Sequence, residues 1–143
     1  MNKGIVAKAS IEVDAAPSVV WDALVNPETI KRYMFGAQVV SDWKEGSSIV
    51  WKGEWKGKPY EDKGKILKIQ PRRELEYTHF SPLAGAPDLP ENYHTVDVQL
   101  AEAGGKTRLT LTQDNNPNEE AKGHSEENWK AMLGGLKKVV EGS

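Results

Sequence analysis

Two histidines are the side chains of this sequence best suited to proton transfer, and a long loop separates them. His79 ends one predicted strand and His94 begins the next. If these strands pair symmetrically about the loop, the two imidazoles lie opposite each other, on the face that carries Tyr77 and Val96. Imidazoles that face a cavity can exchange protons with a carbonyl or hydroxyl group of a ligand. The alternative is that both rings are partly solvated or hydrogen-bonded to the backbone.

Metal binding and nucleophilic catalysis have weaker support. Two histidines need a third metal ligand, and Glu61 or Asp62 could supply it, although no spacing in the sequence places either one there. The absence of cysteine excludes disulfides, thiol nucleophiles and thiolate metal sites. The sequence also has no GxSxG motif and no phosphate-binding glycine loop. We therefore predict no metal site and no cofactor, and we assign no catalytic residue.

Aromatic side chains could line a pocket for an apolar or ring-shaped ligand. The candidates are Trp51, Trp55, Tyr60, Tyr77, Tyr93 and Trp129. Ordinary core packing is the competing explanation for most of them. Trp21 lies on a short amphipathic segment and is expected in the core, whereas Trp43, beside charged neighbours, is expected at the surface or a rim.

Alternating hydrophobicity predicts the strands that must position these side chains. The segment Gly4 to Asp14 alternates as a half-buried strand does. Two short helices are expected next, one beginning at Pro17 and one over Glu28 to Met34, because proline is favoured in a first helical turn. Beyond Gly36 the period is two, which predicts five or six antiparallel strands; in one of them Leu67 and Ile69 are expected to share a face.

The C-terminal segment 124–141 has the period of an amphipathic helix. Its apolar face comprises Trp129, Met132, Leu133, Leu136, Val139 and Val140. Gly134 and Gly135 interrupt the helix, each at a cost of about 1 kcal/mol relative to alanine. We expect this pair to leave room for a ligand or a closely packed strand, and we expect Trp129 to be largely buried against the sheet.

The order of elements predicts an α+β fold. The long helix must bury its apolar face, and one face of the twisted sheet is the only large apolar surface available for it. We therefore expect the helix to lie across the sheet, with the two short helices closing one end. The proline-rich connection from Ser81 to Asn92 is longer than an ordinary hairpin loop and is a candidate flap.

Size and charge limit the classes of function. A chain of 143 residues suits one domain, residues 1–143, with a real core. The net charge is −2 and no basic stripe is present, so we predict no nucleic-acid partner. No segment approaches the roughly 20 apolar residues that span a bilayer, and the N-terminus lacks the apolar run of a signal peptide. We therefore expect no membrane insertion and a cytoplasmic location. The oligomeric state is left open.

Four segments resemble a known superfamily in their order and spacing. They are VDAAPSVVWDALVNPETIKRYM, GKILKIQPRRELEYTH, TRLTLTQDN and NWKAMLGGL. The chain resembles the START-like (Bet v 1-like, SRPBCC) superfamily, and within it the domain related to the activator of heat-shock protein 90 ATPase. The resemblance implies a helix-grip fold, in which a seven-stranded antiparallel sheet curls around a long C-terminal helix and leaves an apolar cavity. It also implies hydrophobic ligands such as lipids, sterols or polyketides, with cyclisation or aromatisation in a few members, and suggests a role in stress response.

Three hypotheses about function follow. The first is binding of a small hydrophobic molecule between sheet and helix. The second is an enzyme of the cyclase, aromatase or hydratase type, with His79, His94 and either Tyr77 or Gln113 as acid–base groups. The third is contact with a chaperone. A sealed apolar cavity would favour ligand binding, and a cavity with convergent polar groups would favour an enzyme. A filled core with an exposed apolar patch would favour chaperone contact. The predicted ligand-binding residues are Trp51, Trp55, Tyr77, His79, His94, Val96, Trp129, Met132, Leu133 and Leu136.

Overall fold

The computed structural model describes residues 4–34, 36–82, 85 and 87–142, apart from the side chain of Trp55. Its elements in chain order are β1 (Ile5–Val13), α1 (Pro17–Val25), α2 (Pro27–Tyr33), β2 (Gln38–Ser41), β3 (Ser48–Trp55), β4 (Lys58–Gln70), β5 (Glu74–His79), β6 (His94–Ala103), β7 (Lys106–Asn116) and α3 (Glu119–Glu141). Within these residues, no helix is both long enough and apolar enough to span a membrane.

The strands form a seven-stranded antiparallel sheet that curls around α3. Their order across the sheet is β1-β7-β6-β5-β4-β3-β2, so β1 and β2 are the two edges. Leu133 and Leu136 of α3 are almost fully buried, as are Leu109 and Leu111 on the inner face of β7. Burial of this shared apolar surface holds the helix in the sheet. The predicted α+β helix-grip fold is confirmed.

A β-bulge in β4 changes which residues of that strand face the core. Ile66 pairs with Tyr77, Ile69 pairs with Leu75, and the register shifts between them. Because of the extra residue, Ile66 and Ile69 share the inner face although they are three positions apart. Ile66 is fully buried, whereas Leu67 is 42% exposed. The prediction that Leu67 and Ile69 share a face is therefore wrong.

Side chains of α3 close the free edge of β1. The backbone N–H of Lys8 donates to the carboxylate of Glu126 over 3.0 Å, and that of Asp14 donates to Glu141 over 2.7 Å. Each backbone bond holds the pKa of its glutamate below the usual range. An open strand edge can pair with a strand of another chain. The hydrogen bonds to these two backbone N–H groups make such pairing less favourable.

Of the two adjacent glycines of α3, Gly135 packs against a helix and not against a strand. A Cβ atom on Gly135 would lie 3.3 Å from the Cβ atom of Tyr33 in α2, so Gly135 permits close packing of the two helices. Gly134 faces open space. The Tyr33 hydroxyl donates to the carbonyl of Ala23 over 2.7 Å, and burial raises its pKa, which keeps the donor protonated. The two short helices are thus fixed to α3 at one end of the sheet.

Candidate functional site

A cavity of about 330 Å³ opens between α3 and the inner face of the sheet. Its wall combines apolar side chains with hydrogen-bonding groups. The lining residues are Met34, Tyr60, His79, His94, Gln113, Ser125, Asn128, Trp129 and Met132. They come from the end of α2, from four strands and from α3, so the cavity exists only when all these elements are assembled. A concave site with an apolar body and a few convergent polar groups is typical of small-molecule binding.

The two histidines face this cavity from adjacent strands. His79 of β5 and His94 of β6 are direct cross-strand partners, which confirms the predicted register. Their ring centroids lie 6.4 Å apart with an angle of 29° between the planes. The ring of Trp51 meets His79 edge-on, with a centroid separation of 5.0 Å. The imidazoles are therefore neighbours that share one wall of the cavity.

A carboxylate orients His79. The Nε2 atom of His79 lies 3.0 Å from Oδ2 of Asp62, a residue of β4 that pairs with Trp51 of β3. Because an ionised carboxylate only accepts hydrogen bonds, Nε2–H is the donor. The other oxygen, Oδ1 of Asp62, is buried and has no hydrogen-bond partner among the described residues. The sequence indicated Asp62 only as a conceivable metal ligand; its role in holding His79 was missed.

A backbone carbonyl orients His94. Its Nδ1 atom lies 2.8 Å from the carbonyl oxygen of Asp114, which can only accept, so Nδ1–H donates. In the neutral ring this assignment leaves Nε2 unprotonated and able to accept a hydrogen bond. The backbone N–H of Thr95 donates to the Asp114 carboxylate over 2.5 Å and ties the two strands together at this point. His94 therefore makes the backbone hydrogen bond that the alternative interpretation expected, and it also lines the cavity.

Trp129 of α3 and the amide of Gln113 in β7 complete the wall. The indole N–H of Trp129 donates to Oε1 of Gln113 over 2.5 Å. This bond fixes the amide so that the NH₂ group of Gln113 is the end available as a donor. The Ser125 hydroxyl donates to Oδ1 of Asn116. Trp129 is partly buried and packs against the core, and its side chain also lines the cavity.

Comparison with known proteins identifies the family. The sequence profile described as "Activator of Hsp90 ATPase homolog 1-like protein" matches residues 14–141. The chain belongs to this family. The START-like resemblance predicted from the sequence is thereby confirmed. A comparison with curated protein sequences found no match.

Solved structures of similar proteins share the fold of this family member. A Cytophaga hutchinsonii protein, solved in solution, is 57% identical over 99% of this chain and 97% of its own, with a TM-score of 0.86. The Aha1 dimer from Colwellia psychrerythraea is 20% identical over 96% of each chain, with a TM-score of 0.73. CalU16 from Micromonospora echinospora is also 20% identical, over 98% of this chain and 86% of its own, with a TM-score of 0.73. The last two likenesses show the fold alone.

The ten predicted ligand-binding residues of this family member fall into four groups. His79, His94, Trp129 and Met132 line the cavity. Met132 also lines a smaller apolar void of about 40 Å³, together with Trp51, Tyr77 and Leu133. Val96 and Leu136 are buried in the core and line neither space. The side chain of Trp55 lies outside the described part of the structure. Burial in the core raises the pKa of Tyr77, which argues against an acid–base role for its hydroxyl.

Several other side chains were placed differently from the sequence-based interpretation. Met34, Ser125 and Asn128 line the cavity and were not predicted. Trp43 is half-buried and lines the small void, and Trp21 packs partly buried against the core, close to the prediction. Met34 follows α2, whereas Ser125 and Asn128 lie in α3, and no local sequence pattern predicts that these two helices converge.

The described part of the candidate flap is anchored outside the cavity. The Tyr93 hydroxyl donates to the Asp88 carboxylate over 2.6 Å, and the ring of Tyr93 stacks on Phe80 at 5.1 Å. Lys63 forms an ion pair with Asp88. The hydrogen bonds from Lys63 and Tyr93 hold the pKa of Asp88 below its usual range. Residues 83, 84 and 86 of the predicted flap lie outside the described residues.

An acidic cluster on the outer face of the sheet gives a test of pH-dependent stability. Carboxylate oxygens of Glu74, Glu76 and Asp97 lie within 4.8 Å of one another. Burial, followed by the hydrogen bond and charge of Glu74, raises the pKa of Asp97 to about 7 from 3.8. Between these values the folded protein binds more protons than the unfolded chain, so stability falls as pH rises through this window.

We expect Asp97→Asn to remove this dependence. The variant should be more stable than the parent protein above pH 7 and close to it below pH 4, because asparagine has no charge to desolvate beside Glu74. Urea unfolding at a series of pH values measures the difference. Parallel stability curves for the two proteins across the window would contradict the elevated pKa.

Proposed function

We propose that the protein binds a small, mainly apolar molecule in the 330 Å³ cavity, with the polar end of the molecule against the two histidines. The single observation that supports this proposal is the mixed composition of the cavity wall. Met34, Trp129 and Met132 supply apolar contact, and His79 and His94 supply hydrogen-bonding atoms in the same space. Ligand pockets usually measure about 300–1,000 Å³, so the volume suits a molecule of one or two rings.

The small void in the core is too small for a ligand, which favours binding in the larger cavity. That void measures about 40 Å³, little more than a single water molecule needs. Leu111, Leu133 and Leu136 are almost fully buried between the sheet and the helix. A ligand that reached the middle of the fold would have to displace these side chains, which are packed at the density of a crystal.

Blocking the mouth of the cavity tests the proposal. The uncharged fluorophore N-phenyl-1-naphthylamine should bind saturably and shift the NMR signals of the Trp129 indole N–H and the Met132 methyl group. Asn128→Trp should weaken binding at least about tenfold, because the larger side chain fills the entrance. Glu127→Trp is the matched control, since Glu127 is the preceding exposed residue of α3 and does not line the cavity.

Equal affinities in the two tryptophan variants would contradict the proposed site. Native mass spectrometry of freshly purified protein complements this titration, because a retained small molecule would reveal the natural ligand. Loss of that mass in Asn128→Trp, with retention in Glu127→Trp, would place the natural ligand in the same cavity.

Acid–base catalysis on the bound molecule is a second candidate function. The observation that favours it is the hydrogen bond between Asp62 and His79, because an oriented imidazole can act as a general base. For a binding protein, His79→Gln combined with His94→Gln alters the affinity for a ligand with a polar group. For an enzyme, the same change abolishes turnover of the molecule identified by mass spectrometry.

Chaperone contact, which the family description suggests, has less support. The exposed large apolar side chains among the described residues are Val19, Val40, Leu67 and Leu89. They lie on four different segments, in α1, β2, β4 and the long loop. Single exposed apolar residues are normal on a protein surface and do not define a docking face.

A further inference from the structure

We infer that the polar end of the cavity selects uncharged alcohols or phenols and rejects carboxylates, and that Asp62 sets this preference. The inference rests on the proposed binding function. It concerns which chemical group lies against the two histidines, and it follows from how each imidazole uses its own N–H group.

Both histidines donate their N–H groups to acceptors within the protein. His94 donates from Nδ1 to the carbonyl oxygen of Asp114, and His79 donates from Nε2 to the carboxylate of Asp62. A neutral imidazole has one donor and one acceptor nitrogen. The nitrogens that remain for a ligand, Nε2 of His94 and Nδ1 of His79, are therefore acceptors. A ligand matches them by donating, as the O–H group of an alcohol or phenol does.

The charges around the cavity oppose an anionic ligand. The carboxylate of Asp62 is largely buried, and its Oδ1 atom has no hydrogen-bond partner among the described residues. A second carboxylate nearby would add repulsion between like charges where the effective dielectric constant is low. None of the described residues that line the cavity is a lysine or an arginine. A bound carboxylate would therefore be desolvated without a cation to pair with it.

Donors in the wall complete the match to a hydroxyl group. The free NH₂ group of Gln113 can donate to the oxygen of a bound alcohol, while the alcohol donates to an imidazole nitrogen. The oxygen then both donates and accepts, so no polar group is left without a partner. The apolar part of the same ligand lies against Met34, Trp129 and Met132.

Four probes of nearly equal size test the inference: 2-naphthol, 2-naphthoate, 2-methylnaphthalene and 2-naphthylmethylammonium. Affinities are measured by NMR titration at about pH 8, above the ordinary titration range of imidazole. We expect naphthol to bind at least about tenfold more tightly than methylnaphthalene, and naphthoate to bind most weakly. Naphthoate or the ammonium compound binding as tightly as naphthol would overturn the inference.

The outcome for methylnaphthalene separates the two proposals. Binding of methylnaphthalene in the cavity without a preference for naphthol would overturn the selectivity while the proposed binding function stands. No NMR shift at Trp129 or Met132 with any of the four probes would overturn the binding function, and the selectivity with it.

Three variants show which atoms cause the selectivity. His94→Asn keeps a side-chain donor near the Nδ1 position and removes the Nε2 acceptor, and His79→Gln keeps a donor near the Nε2 position and removes Nδ1. Each should reduce the ratio of naphthol to methylnaphthalene affinity. Asp62→Asn should raise naphthoate affinity about tenfold relative to methylnaphthalene. Unchanged ratios in folded variants, as judged by circular dichroism, would overturn the inference, and the two histidine variants decide it if Asp62→Asn fails to fold.

Discussion

Replacement of Gly64 by alanine is expected to lower the free energy of unfolding by at least about 3 kcal/mol. A Cβ atom at this position of β4 would lie 1.7 Å from the carbonyl oxygen of Thr78 and 2.5 Å from its carbonyl carbon. These are backbone atoms of the neighbouring strand, so no side-chain rotation relieves the overlap. Strand β5 has to move away from β4, and urea unfolding followed by tryptophan fluorescence measures the cost.

A second glycine provides the control. Gly134→Ala adds a Cβ atom in open space within α3 and is expected to stabilise the protein by up to about 1 kcal/mol, because alanine favours a helix. The two substitutions add the same atom and should act in opposite directions. Wild-type stability in Gly64→Ala would mean that β5 does not lie against Gly64 in solution.

The same substitution should disturb the site. Gly64 lies two residues after Asp62, and Thr78 immediately precedes His79. Close approach of the two strands at Gly64 brings the imidazole within 3.0 Å of the Asp62 carboxylate. A folded fraction of Gly64→Ala should therefore show altered NMR signals for the His79 ring. The glycine thus contributes both to the sheet and to the geometry of the cavity.

Periodicity was enough to predict the elements and most of the sheet. The alternation in β1 separates its buried Ala7, Ala9 and Val13 from the exposed side chains between them. The pairing of His79 with His94 followed from assuming strands that pair symmetrically about one loop. The bulge in β4 was not predictable in this way, because Ile66 and Leu67 are both apolar and either one could have faced the core.

The candidate site was predicted less completely than the fold. The histidines were found because they are rare in the sequence and lie in phase with Tyr77 and Val96. The role of Asp62 depends on the register between β3, β4 and β5, which the turns alone did not define. The ligand-binding residues predicted in α3 extended from Trp129 to Leu136. Leu136 and Val96 instead fill the core, and the open space lies where polar residues interrupt the helix face.

Leu133→Ala is expected to lower the free energy of unfolding by about 3–5 kcal/mol. Leu133 is 1% exposed and borders the small void of about 40 Å³, so its removal enlarges an existing space that the rigid sheet cannot close. Trp129→Ala should cost less, about 1–2 kcal/mol, because the indole is only partly buried. The burial expected from the sequence implies a loss of about 3–5 kcal/mol for Trp129→Ala as well, and urea unfolding of both variants measures which loss is larger.

Ligand binding should show the reverse order. Trp129 forms part of the cavity wall and orients Gln113, so Trp129→Ala should weaken binding of N-phenyl-1-naphthylamine at least about tenfold. Leu133 does not line this cavity, so Leu133→Ala should bind the fluorophore with nearly wild-type affinity at a temperature where it remains folded. Weak binding in Leu133→Ala combined with normal binding in Trp129→Ala would move the ligand into the interior of the fold. In that case Leu133 would both stabilise the fold and contact the ligand, and Trp129 would do neither.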